Sequence, residues 1–399
     1  MFEVRWLAVC LLAQALPAGP IETARGTVTI AGEVTATAGA RDEEAYFNYT
    51  DYEHNALRMF RLSLSGMWQP SARFAFLTEV RSEDVEQVVA YAVYARVRPW
   101  VSRPFDIQVG RIPPVFGVFG RRSYSGLDNP LIGFPLAYQY LTSVRPDAVP
   151  ASANDLLLMR GRGWRASYPV GDQTPAPGVP VVSAYRWDTG IEARYGGDHV
   201  EAAVSATVGT LSNPRVTDDN DGRQWSGRAA WKPVTGLVLG GSAARGAFIT
   251  SAIVDAYEPV LGPHAYTQDS IGLDAEYSRG YWFVRGEAIR SRWNIPKINA
   301  PFIDRPLAAR AAYVEARYRI GPRFFAAARA DHLGFSEIQG TLFGGQPTPW
   351  DAPVTRLEGG GGVYLQRNVT ARVIVQHDWR DGGRVHERTY VSAQLSYWF

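Results

Sequence analysis

From Gly26 onward, apolar and polar side chains alternate one by one in segments of roughly 9–13 residues, the length of a tilted membrane-spanning strand. Neighbouring side chains of a strand point to opposite faces, so such a segment has one apolar and one polar side. GTVTIAGEVTATA puts Val28, Ile30, Val34 and Ala36 on one face, and Thr27, Thr29, Glu33 and Thr35 on the other. RFAFLTEVR sets Phe74, Phe76 and Val80 against Arg73, Glu79 and Arg81. VVAYAVYARVR sets Val89, Tyr91, Val93 and Val97 against Tyr94, Arg96 and Arg98. AAYVEARYRI sets Val314, Ala316, Tyr318 and Ile320 against Glu315, Arg317 and Arg319. VTARVIVQHDW sets Val369, Ala371, Val373 and Val375 against Thr370, Arg372 and Gln376. A soluble sandwich would bury the apolar face and leave the polar one wet. Here the polar faces carry charges in opposite-sign sets, as the wall of a polar lumen would. Mean hydropathy is −0.17 and no apolar run approaches the ~18 residues of a spanning helix. The pattern predicts an all-β fold, a transmembrane antiparallel β-barrel.

Connection lengths alternate too. Short turns fall at 69–71, 101–103, 196–198, 232–236, 278–281, 320–323 and 366–368, with mostly longer polar stretches between them at 39–55, 211–221, 247–267, 294–306, 335–353 and 380–387. Short turns at one rim and long loops at the other are how such barrels are built, and both termini then share the short-turn side, so the strand number is even. Sixteen strands result if 113–182 is one excursion. Eighteen result if GRGWRASYPV and VPVVSAYRW form a further hairpin, which the alternation of Trp164, Ala166, Tyr168 and Val170 favours. Either barrel is wide enough for water.

The ends of the chain give two expectations. Residues 1–18 read as a signal peptide: Arg5, an apolar core from Trp6 to Leu12, then small residues up to Ala18. Residues 19–399 then form a single barrel. Cys10, the single cysteine, lies in that leader, so the mature chain has no thiol for a disulfide or a thiolate metal site. The tail YVSAQLSYWF keeps alternating to its last residue, with Val391, Ala393, Leu395, Tyr397 and Phe399 on one face. It resembles the closing strand of bacterial outer-membrane barrels, whose terminal aromatic is read by the barrel-assembly machinery. That resemblance implies the outer membrane of a diderm bacterium, with its lipids and that machinery as partners.

One segment breaks the pattern. After a strand at 105–111, Pro113, Pro114 and Gly117 stop further pairing. Leu131, Ile132, Phe134, Leu136, Tyr138, Tyr140 and Leu141 follow, too apolar for a solvated loop. Residues 113–159 are therefore expected to fold inward as a constriction loop. At GRIPPVFG (110–117) the chain resembles the phosphate-selective porin family, which carries a Gly-Lys/Arg…Pro-Phe-Gly-like element where a strand turns into the constriction. The match is short, and Val-Phe stands where Pro-Phe is usual. It implies passive diffusion of small hydrophilic solutes, with a homotrimer as one assembly.

Of 41 basic residues, all but Lys232 and Lys297 are arginine, whose planar fork binds carboxylates and phosphates through two parallel hydrogen bonds. Candidate pore and solute-binding residues are Arg96, Arg98, Arg317, Arg319, Arg329 and Arg372 on the wall. Arg111, Arg121 and Arg122 join them at the constriction, with Arg145 opposed there by Asp128 and Asp147. Net charge is only +2, which leaves anion preference open. GGGG at 359–362 marks either a bend or the close approach of the inward loop. The six histidines lack metal-ligand spacing, so no metal or other cofactor is expected, nor a nucleic-acid partner. A barrel closed by its loops is the alternative. A barrel hydrolase using His377-Asp378 or Asp331-His332 is a further one.

Overall fold

The computed structural model describes residues 20–39, 60–83, 87–120, 128–162, 167–184, 187–257, 265–382 and 387–399. Sixteen long strands form one antiparallel sheet that closes on itself. In chain order they are β1 Gly26–Gly39, β2 Phe60–Ser71, β3 Phe74–Glu83, β4 Gln87–Val97, β5 Phe105–Ile112, β6 Asp188–Gly196, β7 Val200–Thr207 and β8 Gln224–Val234. The second half runs β9 Leu237–Ala247, β10 Thr267–Arg279, β11 Trp282–Trp293, β12 Leu307–Ile320, β13 Phe324–Phe335, β14 Val354–Gln366, β15 Val369–Arg380 and β16 Glu387–Trp398.

Closure uses both edges of β1. It pairs with β2 from Thr27↔Gln69 to Ala36↔Phe60, and with β16 from Glu33↔Trp398 to Gly39↔Ser392. Two further hydrogen bonds extend the seam, Phe399 N to Gly32 O at 3.0 Å and Gly32 N to Phe399 O at 3.1 Å. Beyond them the short strand Ile21–Thr23 doubles back on Gly26–Val28. Every edge is thus paired, as lipid requires.

The two faces follow the alternation. Phe74, Phe76, Val93, Val314, Ile320, Val373, Val391 and Leu395 are exposed on the outside, while Glu315, Thr370, Arg372, Gln376, Ser392 and Ser396 are buried inside. Trp68, Phe74, Tyr195, Trp231, Tyr277, Trp282, Tyr318 and Phe324 lie outward near the short turns, an aromatic girdle at one membrane–water interface. Such a surface is covered by lipid. Placing a charge on it gives a direct check: Val314→Arg should lower stability by about 2–4 kcal/mol if the site is near the bilayer midplane. Ser65→Arg, pointing into the lumen, should be close to neutral. Urea unfolding in lipid vesicles ranks the two, and the reverse ranking would turn the barrel inside out.

Two expectations are corrected. Tyr91 points inward, buried, because the ladder steps from Glu79↔Ala92 to Val80↔Ala90 and leaves it as the extra residue of a bulge. Among the described residues of 161–187 no strand joins the wall, so the eighteen-strand arrangement gives way to sixteen. Val170–Gly171 pairs instead with Ala148–Val149, and Pro169, Pro175, Pro177 and Pro180 break any ladder around it. Glycines 359–362 keep unbroken register with both neighbouring strands. A Cβ at Gly362 would strike the Phe325 ring, and one at Gly360 the Val373 carbonyl and Ile374, so side chains and backbone of the two neighbouring strands fill that space. Six of the seven short turns fall within or overlap the expected residues, and the first lies just after them, at 72–73, because the strand runs on through Ser71.

Candidate constriction and its anchoring ladder

The segment between β5 and β6 folds into the barrel. Among its described residues Phe116, Phe119, Leu131, Leu136, Ala137, Tyr138, Ala148, Leu156, Val181 and Val182 are almost fully buried. They share one hydrophobic cluster with Phe248, Ile249, Trp293 and Trp350 from the long loops and strand ends. The segment carries two short helices, α1 Leu136–Gln139 and α2 Ala153–Arg162, and its inward course continues past 159 to Ala184, whose carbonyl accepts the Tyr91 hydroxyl at 3.0 Å.

What holds it is a row of charges on the inner wall. Arg285 on β11, Glu315 on β12, Arg329 on β13 and Glu358 on β14 stand directly opposite one another across successive strands. Arg285 Nη2 lies 2.6 Å from Glu315 Oε1, Arg329 Nη1 lies 3.1 Å from Glu315 Oε2, and Arg329 pairs with Glu358. A second row, Asp331–Arg356–Asp378, runs parallel to it across β13–β15. Its Arg356 Nε lies 2.8 Å from Asp378 Oδ1. All these side chains are buried.

Both rows, with Glu287 and Arg372 beside them, also bond to the loop. Arg285 Nη2 donates to Asn129 Oδ1 (3.0 Å), Arg329 Nη2 to Gly133 O (2.7 Å), Arg372 Nη1 to Asn129 O (2.5 Å) and Arg356 Nη1 to Gln139 Oε1 (2.8 Å). In return Asp331 Oδ2 accepts from Leu136 N (2.5 Å), and Glu287 accepts from Val118 N, Phe119 N (3.0 Å) and the Tyr138 hydroxyl (2.6 Å). Charged partners make these the stronger kind of hydrogen bond. Burial pushes the Tyr138 phenol well above its usual value and keeps it a donor. At the loop rim Asp351 accepts from Tyr140 Oη (2.8 Å) and Ser143 N (2.6 Å). Burial raises the Asp351 carboxyl above the ordinary range, against the opposing Arg380 guanidinium and Tyr140 hydroxyl.

Two glycines permit this approach. Gly117 has φ +59, and a Cβ there would meet Glu287 Oε1 at 2.7 Å. At Gly133 a Cβ would lie 2.7 Å from Glu358 Oε1. The glycine of GRIPPVFG thus serves a left-handed turn pressed onto a carboxylate.

The candidate arginines separate into groups. Arg329 and Arg372 are loop anchors. Arg145 is folded onto Asp147 (Nε–Oδ1 3.0 Å) and the Thr174 carbonyl (2.8 Å). Arg111 reaches the Ala90 carbonyl and, at 3.3 Å, that of Trp187, tying β4 and β5 to the returning chain. Arg121 and Arg122 lie outside the described residues. Arg317 stacks over Phe283, its Cζ 5.4 Å from the ring centroid, and Arg319 over Tyr364 at 5.7 Å. Arg96 and Arg98 are half-buried on the lumen side, and among the described residues no carboxylate lies within ion-pair distance of either. Arg194, in register with Asp106 on the neighbouring strand, is in the same position. With Arg228 and Glu201 it borders a cavity of about 120 Å³ against Val115, Gly117 and Val118 of the loop. Sequence reading passed over Arg194, Arg285, Glu287 and Arg356, although the parity of each strand places all four inside. His332 and His377 are on the outer face, hydrogen-bonded to Thr355 and Thr389, while Asp331 and Asp378 point inward.

No family model matches the chain, and no curated protein matches it in sequence. Its fold matches solved outer-membrane proteins. Outer-membrane expressed OmpT of Vibrio cholerae aligns with a TM-score of 0.57 at 9% identity, covering 96% of this chain and 100% of that one. The anion-selective porin from Comamonas acidovorans aligns with a TM-score of 0.54 at 12% identity, covering 93% and 99%. The outer membrane channel DcaP of Acinetobacter baumannii aligns with a TM-score of 0.53 at 11% identity, covering 95% and 99%. OmpT in a trimer form also aligns, with a TM-score of 0.53 at 9% identity, covering 94% and 99%. At these identities the likeness is one of fold. Together with the lipid-facing belt, it makes this chain a membrane-spanning β-barrel of porin-like fold.

Proposed function

We propose that the chain is a passive outer-membrane channel for small hydrophilic solutes, with a preference for anions. The observation that carries this reading is the unequal neutralisation of the lumen. On β11–β15 the four deeply buried inward arginines, Arg285, Arg329, Arg356 and Arg372, are committed to carboxylates or to the loop, while Arg317 and Arg319 stack on aromatic rings. Along β4–β6, Arg96, Arg98 and Arg194 are half-buried, and among the described residues none has a carboxylate within ion-pair distance, which leaves a strip of weakly neutralised positive charge beside the constriction. In a narrow path with low-dielectric walls, such charges replace part of an anion's hydration. The fold shared with an anion-selective porin agrees with this and specifies no solute. A homotrimer belongs to the same proposal, and sedimentation of the detergent-solubilised protein reads it.

Arg96→Glu with Arg194→Glu should move the reversal potential in planar bilayers toward cation selectivity, with the heat-modifiable barrel still formed. An unchanged reversal potential would remove these residues from the path. A loop-closed binding or structural barrel is the second reading, favoured by the continuous buried cluster that joins the loop to Phe248, Ile249, Trp293 and Trp350. Absence of single-channel current from the folded protein would establish it over the first.

A further inference from the structure

Four arginines stand on the outward face near the long-loop ends of strands β9 to β12: Arg245 on β9, Arg290 and Arg292 on β11, and Arg310 on β12. Arg290 and Arg310 are directly in register. Like charges in that position repel, and a charge on the lipid face of a barrel is costly away from the interface. One carboxylate, Asp269 on β10, sits among them, 3.4 Å from Arg245. Among the described residues no carboxylate is within ion-pair distance of Arg290, Arg292 or Arg310.

Their height is informative. Tyr318 of the aromatic girdle and Arg310 are eight residues apart on the same face of β12. That is about 26 Å of strand, or about 20 Å along the membrane normal at a tilt of ~40°, against an apolar band about 25 Å tall. The guanidinium groups therefore reach the headgroup layer on the long-loop side. A groove of about 470 Å³, floored by Gly227 and Ala243 and flanked by Val204, Trp225 and Ile271, ends at Arg245, Arg290 and Arg292.

We propose that this patch is a lipid site: the arginines clamp the phosphate groups of a phosphorylated glycolipid of the outer leaflet, and an acyl chain lies in the groove below. Arginine forks match phosphate oxygens two at a time, and the bound phosphate removes the repulsion between Arg290 and Arg310. A second copy of the chain is a poorer partner. Among the described residues of the sixteen strands, the outward carboxylates are Asp269 and Glu387, the latter 3.0 Å from His377. The site is independent of what passes through the lumen.

Native mass spectrometry of the full-length protein in detergent tests it, with bisphosphorylated lipid A and the same lipid A dephosphorylated as probes. The unaltered protein should retain the phosphorylated form preferentially. R290Q/R310Q should bind it about tenfold or more weakly, the cost of a lost charge-assisted contact, whereas R279Q at the opposite rim should match the unaltered protein. Equal retention of both lipids by the unaltered protein overturns the proposal, whether or not the variant folds. So does displacement by inorganic phosphate alone, which would mark a free-anion site. A changed oligomeric state of R290Q/R310Q with lipid retention intact would make the patch an interface between copies, and also overturns it.

Discussion

Glu315→Gln is expected to lower the stability of the barrel by about 3–5 kcal/mol, the usual cost of removing one member of a buried ion pair. Glu315 is 1% exposed and touches two guanidinium groups, Arg285 on one side and Arg329 on the other. With glutamine in its place, Arg329 keeps Glu358 as a partner and Arg285 loses its ion pair. The damage should also spread into the loop, because the same two arginines hold Asn129 Oδ1 and the Gly133 carbonyl. A comparison calibrates the effect. Glu201 lies 2.6 Å from Lys232, but both are 29% exposed, and an ion pair open to water contributes only about 0–1 kcal/mol. Urea unfolding of Glu315→Gln and Glu201→Gln side by side separates the two environments. Equal, small losses would mean that water reaches the ladder and that the loop does not seal it.

Much of this architecture is legible in the sequence, because period-two alternation is a local property of each strand. Val314 and Glu315 declare their faces without reference to anything distant, and most of the short turns contain Gly, Pro or Asn. What is not local was harder to read. Tyr91 obeys the alternation of its own segment and violates it in the fold, since a bulge is set by pairing with Glu79 and Val80 rather than by nearby residues. Trp164 to Val170 alternates like a membrane strand, but Val170 pairs with Val149 of the loop, and prolines crowd the chain around it. The charged rows show the same limit. Each strand announces that Arg285, Glu315, Arg329 or Glu358 faces inward; only cross-strand register shows that they meet, and only the loop's return shows that Arg329 and Arg372 are anchors. An arginine-rich lumen read strand by strand therefore overstates its free charge.

Removing residues 128–141 should raise single-channel conductance several-fold, because a sixteen-stranded barrel without an obstruction encloses an aqueous channel. The deleted stretch contains α1, the Asn129 and Gly133 contacts, and the rings of Phe134, Tyr138 and Tyr140 that fill the lumen. Its loss should also weaken anion preference, for a reason specific to this wall. The deletion bares Arg285, Arg329, Arg356 and Arg372 together with Glu287, Glu315, Asp331, Glu358 and Asp378, four arginines against five carboxylates. Ions would then have a second path along a nearly neutral surface, and the strip of Arg96, Arg98 and Arg194 would govern a smaller share of the current. Conductance and reversal potential should move together in this variant, whereas Arg96→Glu with Arg194→Glu should shift the reversal potential and leave conductance near its starting value. A deletion that folds but conducts no better would place the obstruction in the other loops, at Phe248, Ile249 and Trp350, and the closed-barrel reading would take precedence.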